Sequence, residues 1–205
     1  AAIPGLCDGE RCLDEVLLHN LDKVLADDKG NRVLVLHQLG NHGPSYFQRY
    51  PAQFRQFAPT CDTADLGKCS REQIVNSYDN AVLYNDFVVG SLIKSYAETD
   101  PNGFLIYLAD HGEAVFDAPA ASILGRNEAS PTSPMYTVPF IVWRSPQWRA
   151  EDPRDLQATL GRPYSSEHFI HTFADLARIR FDELDLSKSL VSQQFEPGIE
   201  RLVRE

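Results

Sequence analysis

The sequence is short of basic charge. Its 205 residues carry 19 Lys and Arg against 29 Asp and Glu, a formal net charge of −10. That balance argues against a nucleic-acid binder, which needs a basic face to neutralise phosphates. No apolar run approaches the ~18 residues of a membrane-spanning helix, and no leader of the signal-peptide kind is visible. Internal repeats and long polar linkers are missing too, so one globular domain is expected. The 43% hydrophobic and 23% charged fractions are ordinary, which excludes global disorder and suffices for a buried core at this length. The opening Ala1-Ala2-Ile3-Pro4-Gly5 reads as a mature terminus or a fragment.

Cysteine is scarce but patterned. The four cysteines form two tight pairs, Cys7/Cys12 and Cys61/Cys69, in polar loops. Three connectivities are open to four cysteines. Local disulfides are the simplest reading, and they need an oxidising compartment. A four-cysteine zinc site is the rival, but the spacings are C-x4-C and C-x7-C and lack the usual C-x2-C. Free thiols are the remaining alternative.

Along the chain, helical periodicity alternates with short apolar runs. Asp14 to Leu25 places Val16, Leu17, Leu21, Val24 and Leu25 on one face and predicts a helix. Asp27 to Asn31 is a turn, and Val33–Leu36 reads as a strand buried on both faces. Asn41 to Pro59 is a long aromatic loop. Ser70-x-x-Gln73 has capping-box spacing and opens the longest helix. Its expected apolar stripe is Ile74, Tyr78, Val82, Val89, Ile93 and Tyr96. Phe104–Leu108 reads as a second buried strand, and Ala114 to Ser133 as loop. Tyr136–Trp143 is a third strand candidate restricted by Pro139, and His168–Ala177 is a late helix. The alternation predicts an α/β domain with a mostly parallel sheet flanked by helices.

In such sheets ligands bind beyond the carboxyl ends of strands. Two His- and Gly-bearing segments fall there: His37-Gln38-Leu39-Gly40-Asn41-His42-Gly43-Pro44 and Asp110-His111-Gly112-Glu113. Asp110 and His111 offer a carboxylate oxygen and an imidazole nitrogen, a mix that suits Zn²⁺. Two neighbours are an incomplete site, because a catalytic zinc takes about three protein ligands. A hydrogen-bonded strand-end turn is the plain alternative. His37 and His42 read either as satisfied structural groups or as site groups. Glu113 either orients a histidine or is solvated. His168 and His171 fit packing roles in the late helix, and His19 sits on a polar face. The aromatics Tyr46, Phe47, Tyr50, Phe54 and Phe57 read as a satellite core under the long loop, with a ligand groove as the alternative. Arg126, Asn127 and Glu128 are a polar cluster that either reads a sugar or phosphate or forms a solvated turn.

The run Val33 to Pro44, the segment Tyr46-Phe47-Gln48-Arg49-Tyr50-Pro51, Phe57-x-Pro59-x-Cys61, Asn76-Ser77-Tyr78-Asp79-Asn80 and Tyr107-Leu108-Ala109-Asp110-His111-Gly112-Glu113 together resemble the bacterial phosphoethanolamine transferases. The likeness extends from Cys7 to about Trp143 and more loosely to the late helix. It implies an alkaline phosphatase/sulfatase-like domain, here a partial one forming its C-terminal portion over residues 1–205. In that family the domain lies on the periplasmic face of the bacterial inner membrane. Members move phosphoethanolamine from a phospholipid donor to lipopolysaccharide, on lipid A or core heptose, and some confer polymyxin resistance. By resemblance, Asp110 and His111 are two ligands of a catalytic zinc and His42 lies near the phosphoethanolamine group. His37 and Glu113 are candidate supporting groups, and Cys7/Cys12 and Cys61/Cys69 match short local disulfides.

Two departures stand out. The family's nucleophilic threonine, a further acidic zinc ligand and the membrane helices lie upstream of the segment represented here. No threonine of this chain stands in the nucleophile's context, so the zinc site is incomplete and the isolated chain is expected to be inactive. The stretch Ala114 to Met135 also lacks the histidine of the lipid A branch, which favours core heptose as acceptor. The alternatives are a sulfatase-like phosphohydrolase and a non-catalytic module that binds a glycolipid or partner. Sheet edges lacking their neighbours are expected to drive self-association.

Overall fold

The computed structural model describes residues 3–26, 30–99, 101–117, 122–126, 129 and 131–197. Residues 27–29 of the turn expected over Asp27 to Asn31, and Asn127 and Glu128 of the polar cluster, lie outside the described residues. The chain forms two compact units. One comprises Ala1–Pro101 with His111–Thr137, the other Asn102–Asp110 with Val138–Glu205.

The first unit is organised by one long helix. Asp14–Leu18 forms a 3-10 turn and Leu21–Leu25 a short helix, α1. The single helix expected over 14–25 is therefore broken, at Asn20, whose φ of 58° is left-handed and cannot continue a right-handed helix. Val33–Leu36 is not a buried strand: no ladder forms there among the described residues, and Val33 and Val35 are 64% and 82% exposed. An apolar run is buried on both faces only when strands flank it, and none pairs with this one.

Helix α2 spans Arg71–Glu98. Its start follows from the capping box: Gln73 N–H donates to Ser70 Oγ, and Ser70 N–H donates to Gln73 Oε1 at 2.8 Å. The buried face is Ile74, Ser77, Asn80, Ala81, Tyr84, Val88 and Val89. Val82 of the expected stripe is instead 41% exposed. The reason is that two polar residues occupy the inner face. Ser77 Oγ accepts Cys61 N–H at 2.8 Å. Asn80 Oδ1 accepts both Gln56 and Phe57 N–H at 2.9 Å, and its Nδ2 donates to Phe57 C=O at 2.9 Å.

The aromatic loop does form a satellite core on this helix. Tyr46, Cys61, Ile74 and Val115 make one cluster, and Tyr50, Ala81, Tyr84 and Val88 another, with Phe54 against it. Tyr46 meets Tyr78 edge-on at 5.4 Å, and Phe54 meets Tyr84 at 4.9 Å. Both disulfides form as local pairs, Cys7–Cys12 and Cys61–Cys69.

Strand β1, Phe104–Leu108, has the expected bounds. Ala114–Val115 and Leu124–Gly125, β2 and β3, form a small ladder inside the stretch expected to be loop. The third strand candidate is realised as β4, Phe140–Arg144, which begins just after Pro139, whose missing N–H cannot join a ladder. In the second unit β1 and β4 pair antiparallel, Phe104 opposite Arg144 through to Leu108 opposite Phe140. Both ladders among the described residues are antiparallel, whereas the alternating pattern predicted parallel neighbours. Ser145 caps α3, Pro146–Glu151, by accepting Trp148 N–H at 3.0 Å. Helix α4 is His168–Ala177, as expected, with Thr172, Ala174, Asp175 and Leu176 buried.

Candidate functional site

Two loops of the first unit bring histidines together. His42 follows the turn at Leu39–Asn41, and His111 opens the segment that leads into β2. Their ring centroids are 6.3 Å apart, inclined at 69°. Each ring is held in the same manner. His42 Nδ1 donates to the Gly43 carbonyl at 2.6 Å, and His111 Nδ1 donates to the Gly112 carbonyl at 2.9 Å. In a neutral imidazole this leaves the lone pair on Nε2, the form needed for metal ligation or proton acceptance.

Glu113 closes the arrangement. Its carboxylate accepts from the Tyr46 hydroxyl and the Gly43 N–H, and it faces both His42 and His111. Burial pushes the Glu113 carboxyl up, and the Tyr46 hydrogen bond and the two imidazoles act against that shift. Burial, then the Glu113 charge, raises the Tyr46 hydroxyl well above its ordinary value. Tyr78, edge-on to Tyr46, is raised by the same two causes and is hydrogen-bonded to Asn41.

Close packing fixes these loops. A side chain at Gly43 would meet the Tyr46 hydroxyl at 2.8 Å, and one at Gly112 would overlap the Pro134 carbonyl oxygen. Gly112 N–H donates to Met135 C=O at 2.9 Å, tying the His111 loop to the turn Ser133–Met135.

Of the residues singled out in the sequence, His42, His111 and Glu113 come together. Asp110 precedes His111 directly, is exposed, and belongs to the second unit. His37 is exposed and makes no hydrogen bond among the described residues. His168 is buried against Tyr164 and Phe195, and His171 Nδ1 accepts Asp185 N–H at 3.1 Å, so both serve packing. The sequence placed Tyr78 on the apolar stripe of the long helix, and its position beside Glu113, like the hydroxyl role of Tyr46, was not foreseen. Tyr46 was visible as one aromatic among five and as the head of a family-like segment, and nothing in its spacing marks a partner in a distant loop.

Asp110 and His111 present the oxygen and nitrogen donors that zinc takes, and the Nε2 lone pair of His111 has the right form for a ligand. Yet no three His, Cys, Asp or Glu side chains converge as a metal-holding group among the described residues. Asp110 and His111 alone fall short of the about three protein ligands of a catalytic zinc.

A family model described as Sulfatase matches residues 2–179. The phosphoethanolamine transferase EptC of Escherichia coli O18:K1:H7 (strain RS218 / NMEC) is 43% identical over 184 residues, 89% of this chain and 32% of that protein. The crystal structure of the C-terminal periplasmic domain of EcEptC from Escherichia coli, in complex with Zn, matches with a TM-score of 0.84 at 40% identity, over 94% of this chain and 54% of that one. The soluble domain of lipooligosaccharide phosphoethanolamine transferase A from Neisseria meningitidis matches with a TM-score of 0.83 at 31% identity, over 93% and 58%. The chain spans about a third of the length of the curated relatives it matches. The sulfatase-like α/β architecture expected from the motifs is the architecture of these neighbours. Matched by the Sulfatase model over most of its length, and similar throughout that stretch to phosphoethanolamine transferases, the chain belongs to the sulfatase family.

Proposed function

We propose that this chain is the C-terminal portion of the periplasmic catalytic domain of a phosphoethanolamine transferase anchored in the bacterial inner membrane by helices outside the chain. The reaction moves phosphoethanolamine from a phospholipid donor to lipopolysaccharide, with core heptose favoured over lipid A. The observation that carries this reading is the pairing of His42 and His111, each with its Nε2 lone pair left available by an Nδ1 bond to its own loop, beside a half-buried Glu113. The 43% identity to a phosphoethanolamine transferase supports it.

Asp110 and His111 would hold zinc together with ligands from outside the chain. When bound, zinc supplies Lewis-acid stabilisation of phosphoryl oxygens and lowers the pKa of a coordinated hydroxyl. The nucleophilic threonine also lies outside the chain. His42, exposed at the rim, is placed to stabilise charge on the transferring group or to carry a proton to or from the acceptor hydroxyl. Glu113 and the Tyr46 hydroxyl hold the two histidine loops at fixed spacing. His37 is retained only as a more distant supporting group.

The test is mass spectrometry of lipid A and core fractions from cells with and without the full-length gene. Phosphoethanolamine on the core in the first and not the second is expected, and it should disappear in His111→Ala. Identical lipopolysaccharide in both strains overturns the reading.

A further inference from the structure

The loop that carries His42 has no ladder to hold it. From Asn31 to Leu39 no helix or strand is formed; Arg32 donates to the Val24 and Leu25 carbonyls at its start, and among the described residues the backbone bond within the stretch that leads into the histidine is His42 N–H to Leu39 C=O at 3.3 Å. Its position is set from outside. Asp14 Oδ1 accepts Leu39 N–H at 3.0 Å, and Asp14 Oδ2 accepts Gly40 N–H at 2.6 Å. Both carboxylate oxygens are thus spent on consecutive amides, which are charge-assisted bonds. Gly40 has a φ of 58°, so the turn that presents these amides suits glycine. Arg49 Nε donates to the His42 carbonyl at 2.8 Å, and its charge faces Asp14.

Asp14 is itself anchored. It stands two residues after Cys12, at the start of the 3-10 turn, and the Cys7–Cys12 disulfide closes the loop before it. Leu13 N–H donates to Leu6 C=O at 2.8 Å across that loop. Arg11, inside the disulfide loop, donates to Gln48, the neighbour of Arg49. Arg11 of the disulfide loop and Asp14 just beyond it therefore grip the histidine-bearing segment at two points, one on each side of His42.

We propose that Asp14, fixed by the Cys7–Cys12 loop and seconded by Arg49, is a positioning residue that places His42 for the transfer reaction. The proposal rests on the reading of His42 as a site residue. Disulfides of small loops are ordinarily regarded as stabilisers; here the covalent loop sets the coordinates of a group beside the reacting phosphate. A displacement of about 1 Å at such a group costs on the order of 10²-fold in rate.

The experiment uses the full-length protein. In Asp14→Asn, peptide-resolved hydrogen exchange should speed up over residues 38–42 while α2 keeps its protection. Transfer should fall about 10²-fold. In the double variant with His42→Ala, the Asp14 change should add nothing to the loss from His42→Ala alone, because both act through one group. Unchanged exchange over 38–42 overturns the clamp. Losses that multiply independently overturn action through His42. If His42→Ala leaves transfer intact while exchange still responds to Asp14→Asn, the clamp stands and the functional reading of His42 fails. Should Asp14→Asn not fold, Arg49→Lys, which removes the Nε bond and keeps the charge, carries the same cycle.

Discussion

Arg154 grips Asp152 with two nitrogens, Nη2 at 2.6 Å from Oδ2 and Nε at 2.7 Å from Oδ1, in the second unit. Its remaining nitrogen, Nη1, reaches Asp175 Oδ2 at 2.8 Å, which also accepts from Ser189 Oγ at 2.7 Å. Both carboxylates are buried, Asp152 at 6% and Asp175 at 8% exposure. Replacing Arg154 by Met leaves two buried charges without their partner and should cost about 3 kcal/mol, near the low end for a broken buried pair because Arg154 is itself partly exposed. Urea denaturation at neutral pH measures it.

The same pair sets a pH dependence. The Arg154 hydrogen bonds hold the Asp152 carboxyl below its ordinary value, against the effect of burial. A depressed folded pKa contributes stability above the unfolded value, and that contribution is lost as pH falls. The loss should begin as pH drops through about 4 and finish below the lowered folded value. Denaturation midpoints of the parent and Asp152→Asn should therefore converge on acidification, and parallel curves would contradict the assignment.

Asn80 holds three main-chain groups of the aromatic loop at once. Asn80→Leu strands two N–H groups and a carbonyl and should cost about 3 kcal/mol, from about 1–3 kcal/mol for each buried group left unpaired and partial rescue by water. Val82→Ala, two residues on and exposed, should change stability by less than about 0.5 kcal/mol. Thermal melts of both variants distinguish the polar face from the apolar stripe.

Gly112→Ala tests the fit of the histidine loop. The added carbon overlaps the Pro134 carbonyl, a backbone atom that cannot swing aside. The expected cost is about 1–3 kcal/mol, as for overpacking elsewhere. Transfer by the full-length protein should fall as well, because His111 and Glu113 flank the displaced residue.

The isolated 205-residue chain should bind Zn²⁺ weakly, since its described residues hold no three-ligand group. Tight stoichiometric binding in isothermal titration, lost in Asp110→Ala, would count against the partial site. The same preparation should self-associate through Val33 and Val35, 64% and 82% exposed. Val35→Lys should shift light scattering toward the monomer.

Much of this was legible from residues alone. The capping box marked the start of α2, the apolar pentapeptide marked β1, and the late helix kept its bounds. The histidine loops were found through their position after apolar runs. What escaped has a common cause. Val33–Leu36 reads as buried because a continuous apolar run records a sheet neighbour without naming it, and none pairs with it here. The inner face of α2 was misplaced at Val82 because hydrophobic periodicity is blind to Ser77 and Asn80, polar residues that face inward to bond backbone. The Tyr46–Glu113 and Asp14–Leu39 bonds join distant segments, and no local pattern carries that information.

Ser77 and Asn80 bond to main-chain atoms of the aromatic loop and the residues just after it: the amides of Gln56, Phe57 and Cys61 and the carbonyls of Phe57 and Cys61. A grip on backbone is indifferent to what side chains the gripped residues carry. Gln56 and Phe57, both exposed, are therefore free to drift in sequence without moving the loop. At residues 56 and 57 the constraint falls on the helix, where two small polar residues act as the mould and the loop is the cast. New surface chemistry can be written onto the rim at residues 56 and 57 while the histidine-bearing frame beneath keeps its shape.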